Sequence, residues 1–491
     1  MTTSSYDAVI VGSGPNGLAA GIVLARAGHS VCIVEGAETI GGGMRTAEKT
    51  LPGYRHDLCS AIHPMAVLSP FFRTLDLESH GLEWVHPRAS VAHPLDGGRA
   101  AMLRRSFAET GATLGPDAER WERLIAPFLN NPDALLSDLM GPLGIPSQPI
   151  TMARFGMLGL RSAVGLARGR FRGEEARAAF AGCAAHSLLP LDRAVTAAVG
   201  LVFAITAHLT DWPVARTGSQ ALADALAAEF RAQGGVIETD RPIETLADLP
   251  AHRVCLLDTS PHQVIAIAGD SLPAGYVHRL AKYRYGPAIY KINYALNEAI
   301  PWSAPECAEA STVHVGGTLE EIARAEKEAW EGVAPEKPFV LVGQQSLVDP
   351  TRAPEGKHTG YAYCHVPHAC DVDMTAQLEA QIERFAPGFG DCIEARDVTT
   401  PQGFQAYNPN YLGGAVTGGA ADLGQLFTRP VARWNPYTTP NPDLFLCSAS
   451  TPPGGGVHGM NGFHAAQAAL KRLQKDRRLA LPPPRARGAC T

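Results

Sequence analysis

The chain has 491 residues, 45% of them hydrophobic and 18% charged, with 42 Lys+Arg against 48 Asp+Glu and a formal net charge of −6. That length predicts two or three domains around a large core, and the absence of a basic excess or basic run argues against nucleic acid as a partner. The ten cysteines are scattered with no C-x-x-C pair, which argues against a dithiol redox centre or a thiolate zinc site and points to a reducing, cytoplasmic compartment.

Residues 7–11 are a short apolar run rich in β-branched side chains and read as a buried strand. No basic or apolar leader stretch precedes that strand, so no secretory signal is expected. Gly12, Gly14 and Gly17 follow as G-x-G-x-x-G and open a helical stretch over 17–27; a second apolar strand over 30–34 ends in Glu35. Strand, glycine turn, helix, strand and acid together form the dinucleotide fingerprint. Gly12 allows a tight turn, Gly14 lets backbone N–H groups approach a pyrophosphate at the positive end of a helix, and Gly17 lets that helix pack on the strand. Glu35 stands where a carboxylate accepts bonds from ribose hydroxyls and repels a 2′-phosphate.

Further along, residues 152–172 mix Phe155, Met157, Leu158, Leu160, Val164 and Leu166 with Arg154, Arg161, Arg168, Arg170 and Arg172. Two readings stay open for them: a basic amphipathic helix in peripheral contact with a membrane, or a helical lid over the substrate site. The apolar run 195–209 contains His208 and is short for a bilayer span, so a buried helix is expected. Leu222, Leu226 and Phe230 predict a helix over 220–232; short strands are expected at 236–237, 254–257 and 444–447, then a loop over 452–462 and a helix over 463–473. Cys32 and Cys447 fall in strands and read as apolar filler. Pieces of one nucleotide domain thus lie at 1–72, 214–272 and 436–478. Residues 73–213 and 273–435 are left for a substrate or cap domain, and 479–491 for a flexible, Pro/Arg-rich tail.

The stretch from Glu35 through Ile40, Gly41, Gly42, Gly43, Met44, Arg45 and Thr46 resembles the second FAD motif of the glutathione-reductase-like flavoproteins. Residues 451–462, TPPGGGVHGMNG, are similar to the flavin loop of the same group. With 53–64, 218–222, 285–287, 291–294 and 427–430, they resemble the phytoene-dehydrogenase-like branch of the amine oxidase and carotenoid desaturase superfamily. The resemblance covers nearly the whole chain. It implies an α/β fold: a glutathione-reductase-like, discontinuous FAD-binding Rossmann domain with an inserted α+β substrate domain. It implies FAD held by Gly12, Gly14, Pro15, Asn16, Gly17, Glu35, Gly42, Gly43, Met44, Arg45, Thr46, Ile243, Val457, Met460, Asn461 and Gly462. The acidic residue usual before the flavin loop is replaced by Ser450 and Thr451. With no second G-x-G-x-x-G, a separate NAD(P)H domain is not expected.

The implied activity is hydride transfer from a C–H bond of an apolar, isoprenoid-like substrate to flavin N5, of desaturase or isomerase type, with O2 or a quinone accepting the electrons. Lys291, Tyr294, Pro301 and Trp302 resemble the pattern by which amine oxidases hold a water at the flavin; the alternative for Lys291 is a solvated strand lysine. His56, Asp57 and His458 are the other catalytic candidates, with His63 behind them, against the alternative that they satisfy loop backbone groups. Their spacing matches no metal signature. By the resemblance Gly459 replaces an aromatic cage residue, leaving room for a long substrate and placing amine or amino-acid oxidation second. A third reading keeps FAD as a structural element in a protein that works by binding partners.

Overall fold

Ala8, Val9 and Ile10 are fully buried on alternating faces of one strand, the environment in which an unbroken apolar run folds as a central parallel strand. The computed structural model describes residues 5–480 and places this strand, Ser5–Val11, in the middle of a five-stranded parallel sheet. The sequence-predicted tail lies, from residue 481 on, outside the described residues. Across the sheet the order is Leu444–Leu446, Ala251–Leu257, Ser5–Val11, Val31–Val34, Val236–Glu238. Val9 pairs with Cys255 on one side and with Cys32 on the other. Counted along the chain, this is the 3-2-1-4-5 order of a Rossmann-like half, which binds ligands beyond the carboxyl ends of its strands.

Two helices fix the first crossover. Pro15–Arg26 starts with Pro at its first position, where a missing N–H costs nothing, and buries nearly its whole length. Met460–Ala480 packs beside it so closely that a Cβ on Gly462 would lie 1.8 Å from the Asn16 carbonyl oxygen. This helix begins at Met460 and not at 463, because the Asn461 amide donates to the carbonyls of Thr451, Pro452 and Gly454 and ties the preceding loop to its first turn. The expected helix at Gln220–Ala232 is present and buries Leu222, Leu226 and Phe230.

A second, seven-stranded mixed sheet takes its strands from residues 89–103 and 288–399. Its centre is the antiparallel set Ala288–Leu296, His358–Val366 and Val340–Gly343. One face packs on the helix Thr375–Phe385, the other on Glu174–Ala185 and Thr196–Leu209, whose alanines and glycines let backbones approach. The apolar run at 195–209 is therefore a buried helix. The stretch 152–172 is not one helix: Pro149–Gly159 ends, and Ser162 caps a new helix, Ala163–Arg170, by accepting the Gly165 N–H.

Candidate cofactor and substrate site

The carboxyl ends of the parallel strands open into one cavity of about 730 Å³. Gly12 turns the chain out of the first strand at φ +100°, with its N–H on the Val34 carbonyl, and an added Cβ would sit 3.0 Å from the Asp258 carbonyl oxygen. Only glycine takes that conformation without strain. The second glycine turn is bound to the first: Gly41 N–H reaches the Ser13 carbonyl at 3.1 Å, and a Cβ on Gly42 would lie 3.0 Å from Gly14 Cα. The third turn, Gly456 and Val457, borders the same cavity. Three segments remote in sequence thus converge on one groove, with the amino end of Pro15–Arg26 at its base.

Charge is placed to suit an extended dinucleotide. Glu35 is held by the backbone N–H and hydroxyl of Ser13 (2.8 and 2.6 Å) through one oxygen, and by the Ala37 N–H (3.0 Å) and Arg45 (3.3 Å) through the other. These four donors match the about four lone-pair positions of a carboxylate, so a ribose hydroxyl binds here by replacing one of them, the long Arg45 contact at 3.3 Å being the weakest. Arg45 is buried, donates also to the Thr39 carbonyl and lies 5.2 Å from the Tyr407 ring centre. Asp258, which the sequence reading did not pick out, accepts the Gly17 N–H at 2.8 Å; burial, outweighing that N–H, pushes its carboxyl up to about 7. The Thr259 and Ser260 hydroxyls border the cavity, and that of Thr259 is buried with no hydrogen-bond partner among the described residues. An unfilled hydroxyl, glycine turns without room for a Cβ and an acid beyond the second strand fit FAD.

The sequence-assigned cofactor residues divide in two. Gly12, Gly14, Pro15, Asn16, Glu35, Gly42, Gly43, Arg45, Ile243 and Val457 border the cavity. Gly17, Met44, Thr46, Met460, Asn461 and Gly462 stand behind that surface. Met44 is core, Thr46 donates to Asp57, Asn461 anchors the third turn, and Gly17 and Gly462 are closed by packing. Gly459 also faces inward: a Cβ there would meet Phe72 at 2.4 Å, so this glycine makes room for Phe72 and not for a substrate.

None of the four catalytic candidates borders the cavity. Lys291 is fully buried, not a solvated strand residue. Its Nζ donates to the Asp57 carbonyl (2.9 Å) and to the Asn293 side chain and lies 4.4 Å from the ring centre of Tyr361, which does border the cavity. Burial brings its ammonium down to about 8. Asp57 is buried against Arg352 at 2.9 Å; that guanidinium, with the Ser219 N–H and Thr46 hydroxyl, outweighs burial and holds the carboxyl below its ordinary value. His56 bonds Thr50 and is brought to about 3 by burial, then by Lys291; His458 accepts the Met460 N–H and is brought to about 4 by burial. Replacing Lys291 with Met is expected to flatten the alkaline limb of stability. A lysine whose folded value lies below its unfolded value adds stability as pH rises from about 8 towards 10.5. Urea titrations of both proteins across that window check it: the wild-type midpoint rises relative to the variant.

The cavity wall is formed by Ile62 and His63, the lesser histidine candidate from the 53–64 stretch, with His186, Phe203, Trp212, Thr312, Tyr361 and Tyr363, which carry no motif. His186 stacks on Phe203 with centroids 4.2 Å apart, and its Nε2 meets Nε2 of the buried His314 at 3.1 Å. Burial brings His186 to about 3, so the pair is neutral and one imidazole donates to the other. Tyr361 and Tyr363 meet edge to face at 5.8 Å. His186 caps the carboxyl end of the alanine-rich helix Glu174–Ala185, 128 residues from its partner, and nothing local marks it.

Among known proteins, a family model for an NAD(P)-binding Rossmann-like domain matches residues 10–75. The pyridine nucleotide-disulfide oxidoreductase domain-containing protein 2 of Rattus norvegicus is 25% identical, over 96% of this chain and 94% of that protein. The two chains are homologous over nearly their full lengths. The neurosporene-forming phytoene desaturase of Cereibacter sphaeroides is 32% identical over 27% of this chain and 26% of its own. The solved structure of wild-type putrescine oxidase bound to putrescine shares the fold, with TM-score 0.62 at 15% identity over 95% of this chain and 99% of that one. The phytoene-dehydrogenase-like resemblance and the α/β, Rossmann-type fold both stand. No helix among the described residues is long and apolar enough to cross a membrane, and no group of three or more metal-ligating side chains occurs among them.

Proposed function

We propose that this chain is an FAD-dependent oxidoreductase acting on a C–H bond of an apolar substrate. The observation that carries this reading is the convergence of the three glycine turns on one cavity that continues between aromatic and aliphatic walls. Gly12, Gly14, Gly42 and Gly43 present backbone to the dinucleotide, Glu35 accepts from ribose, and Arg45 meets phosphate or ring edge. FAD held there would supply the redox chemistry, as acceptor of the substrate's hydride, with O2 or a quinone as the final oxidant. Ile62, Phe203, Trp212 and Tyr361 hold the substrate and exclude water, and His63 and His186, both kept neutral by burial, are the cavity-side imidazoles that orient it. Lys291 acts through Tyr361, as a positioning residue. Desaturation and isomerisation both fit these walls.

Amine oxidation stands as a second reading. Gly459 does not open the cavity, so the argument from a missing cage residue falls, and the Tyr361–Tyr363 pair supplies an aromatic wall. Anaerobic mixing of the flavin-loaded protein separates the two. Bleaching of the flavin band by long isoprenoid hydrocarbons and not by amines is the expected result; bleaching by amines alone assigns the second reading.

A further inference from the structure

Thirteen large hydrophobic side chains are exposed among the described residues, and five of them, Leu143, Ile145, Ile150, Met157 and Leu160, fall within eighteen positions. They are not marginal cases: Ile145 is 99% exposed, Ile150 88%, Leu143 74% and Met157 71%. Ile150, Ala153, Met157 and Leu160 follow one another by three or four residues along the outer face of the helix Pro149–Gly159 and its last turn, a continuous stripe. Leu143 and Ile145 extend it onto the preceding loop. The opposite face carries Phe155 and Leu158 into the core, so this helix is apolar on both sides. A soluble protein leaves such a stripe bare only where something covers it.

Charge identifies the cover. Residues 139–173 contain five arginines and no acidic residue, in a chain with an acidic excess overall. Arg154 and Arg161 flank the stripe, four residues after Ile150 and Met157, and both are exposed. Their recorded bonds are to carbonyls, of Arg123 and Gly165; among the described residues only Arg168 of the five is ion-paired, to Glu320. Fully exposed aliphatic side chains bordered by unneutralised arginines are the pattern of a helix lying in an anionic lipid interface. We infer that the loop 141–148 and the helix Pro149–Gly159 dock this protein onto an anionic membrane surface, with Leu143, Ile145, Ile150 and Met157 inserted among the acyl chains. The lid alternative for 152–172 falls away, because none of these residues borders the cavity. The helix instead lies outside Thr196–Leu209, where Gly159 packs on Ala198, and Thr196–Leu209 carries Phe203 to the cavity wall. Membrane and substrate wall are one helix layer apart, a short path for an apolar substrate; that last link rests on the proposed function, the docking surface does not.

The test is co-sedimentation of the full purified chain with phosphatidylcholine vesicles, with and without phosphatidylglycerol. Binding to phosphatidylglycerol vesicles, weakened by salt, is expected. Ile145→Ser with Ile150→Ser should weaken it by about 10-fold or more, and Arg154→Gln or Arg161→Gln by about five-fold each. These side chains are solvent-exposed, so the melting temperature should hold. Failure of the wild type to sediment with either vesicle overturns the inference, as does undiminished binding by the double serine variant. A wild-type dimer that the serine variant converts to monomer, without vesicle binding, overturns it in favour of a second copy. The assay involves no turnover, so its failure leaves the redox reading intact, and an inactive enzyme that still binds vesicles leaves the docking surface intact.

Discussion

Replacing Gly42 with valine is expected to weaken FAD binding by about 100-fold or more while leaving a folded protein. Gly42 has φ +57°, and a Cβ would sit 3.0 Å from Gly14 Cα, so the branches of valine would enter the gap between the two glycine turns. The left-handed conformation costs a β-branched residue about 1–2 kcal/mol. The larger loss is the close approach of backbone N–H groups to phosphate, where each charge-assisted bond contributes about 1.5–3 kcal/mol and every 1.4 kcal/mol is about tenfold in affinity. Gly28 provides the control. It has φ +80° but nothing within 4 Å of an added Cβ and no place on the cavity. Gly28→Val should therefore show the conformational cost in its unfolding midpoint and keep its FAD. Titration of the apo-proteins with FAD, followed by quenching of flavin fluorescence, measures both; equal affinities in the two variants would contradict the argument.

Arg352→Met is expected to destabilise the fold by about 3–5 kcal/mol, the usual consequence of stripping one partner from a buried ion pair. Arg352 and Asp57 are wholly occluded: Nη1 donates to Asp57 at 2.9 Å, Nε to Asp349 at 2.8 Å and Nη2 to the Ala215 carbonyl at 3.0 Å. Asp57 also receives Thr46 and the Ser219 N–H. One guanidinium therefore ties the hairpin after the second glycine turn to the start of Gln220–Ala232 and to the loop before His358–Val366. Removing it strips both buried carboxylates of their guanidinium partner. Both have folded values below the unfolded one, Asp57 mainly through Arg352 and Asp349 through Thr351 and Arg352, each against the opposing effect of burial. Their contribution is present above the unfolded carboxylate value and is lost as pH falls through the folded one. The gap between wild type and variant in urea unfolding should be widest near neutrality and shrink on acidification. A gap that grows at low pH would refute the assignment.

What was legible in the sequence is local chemistry. Gly12, Gly14 and Glu35 lie within one strand-helix-strand unit whose backbone demands are written in adjacent residues. Gly42, Gly43 and Val457 were reached through resemblance, and they border the cavity. The catalytic candidates fared differently, because side-chain type does not say which face of a strand it occupies. Lys291 does lie near the site, but Tyr361 stands between it and the cavity, and that layering is set by pairing of Lys291 with Tyr363 across the antiparallel strands. Likewise Asp57 looked like a proton carrier until Arg352, 295 residues away, neutralised it. The walls of the cavity come from Phe203 on a helix, Tyr361 on a strand and His186 and Trp212 in loops, with no shared pattern, so only packing reveals them. The break at Ser162 escaped the hydropathy pattern because a capping hydroxyl interrupts a helix without interrupting its apolar period.

The most direct test of the account is the flavin content of the purified full chain after reconstitution with FAD. The account predicts a yellow protein with equimolar FAD, released on denaturation and lost in Gly42→Val. A chain that stays colourless after reconstitution, with its fold intact, would contradict it.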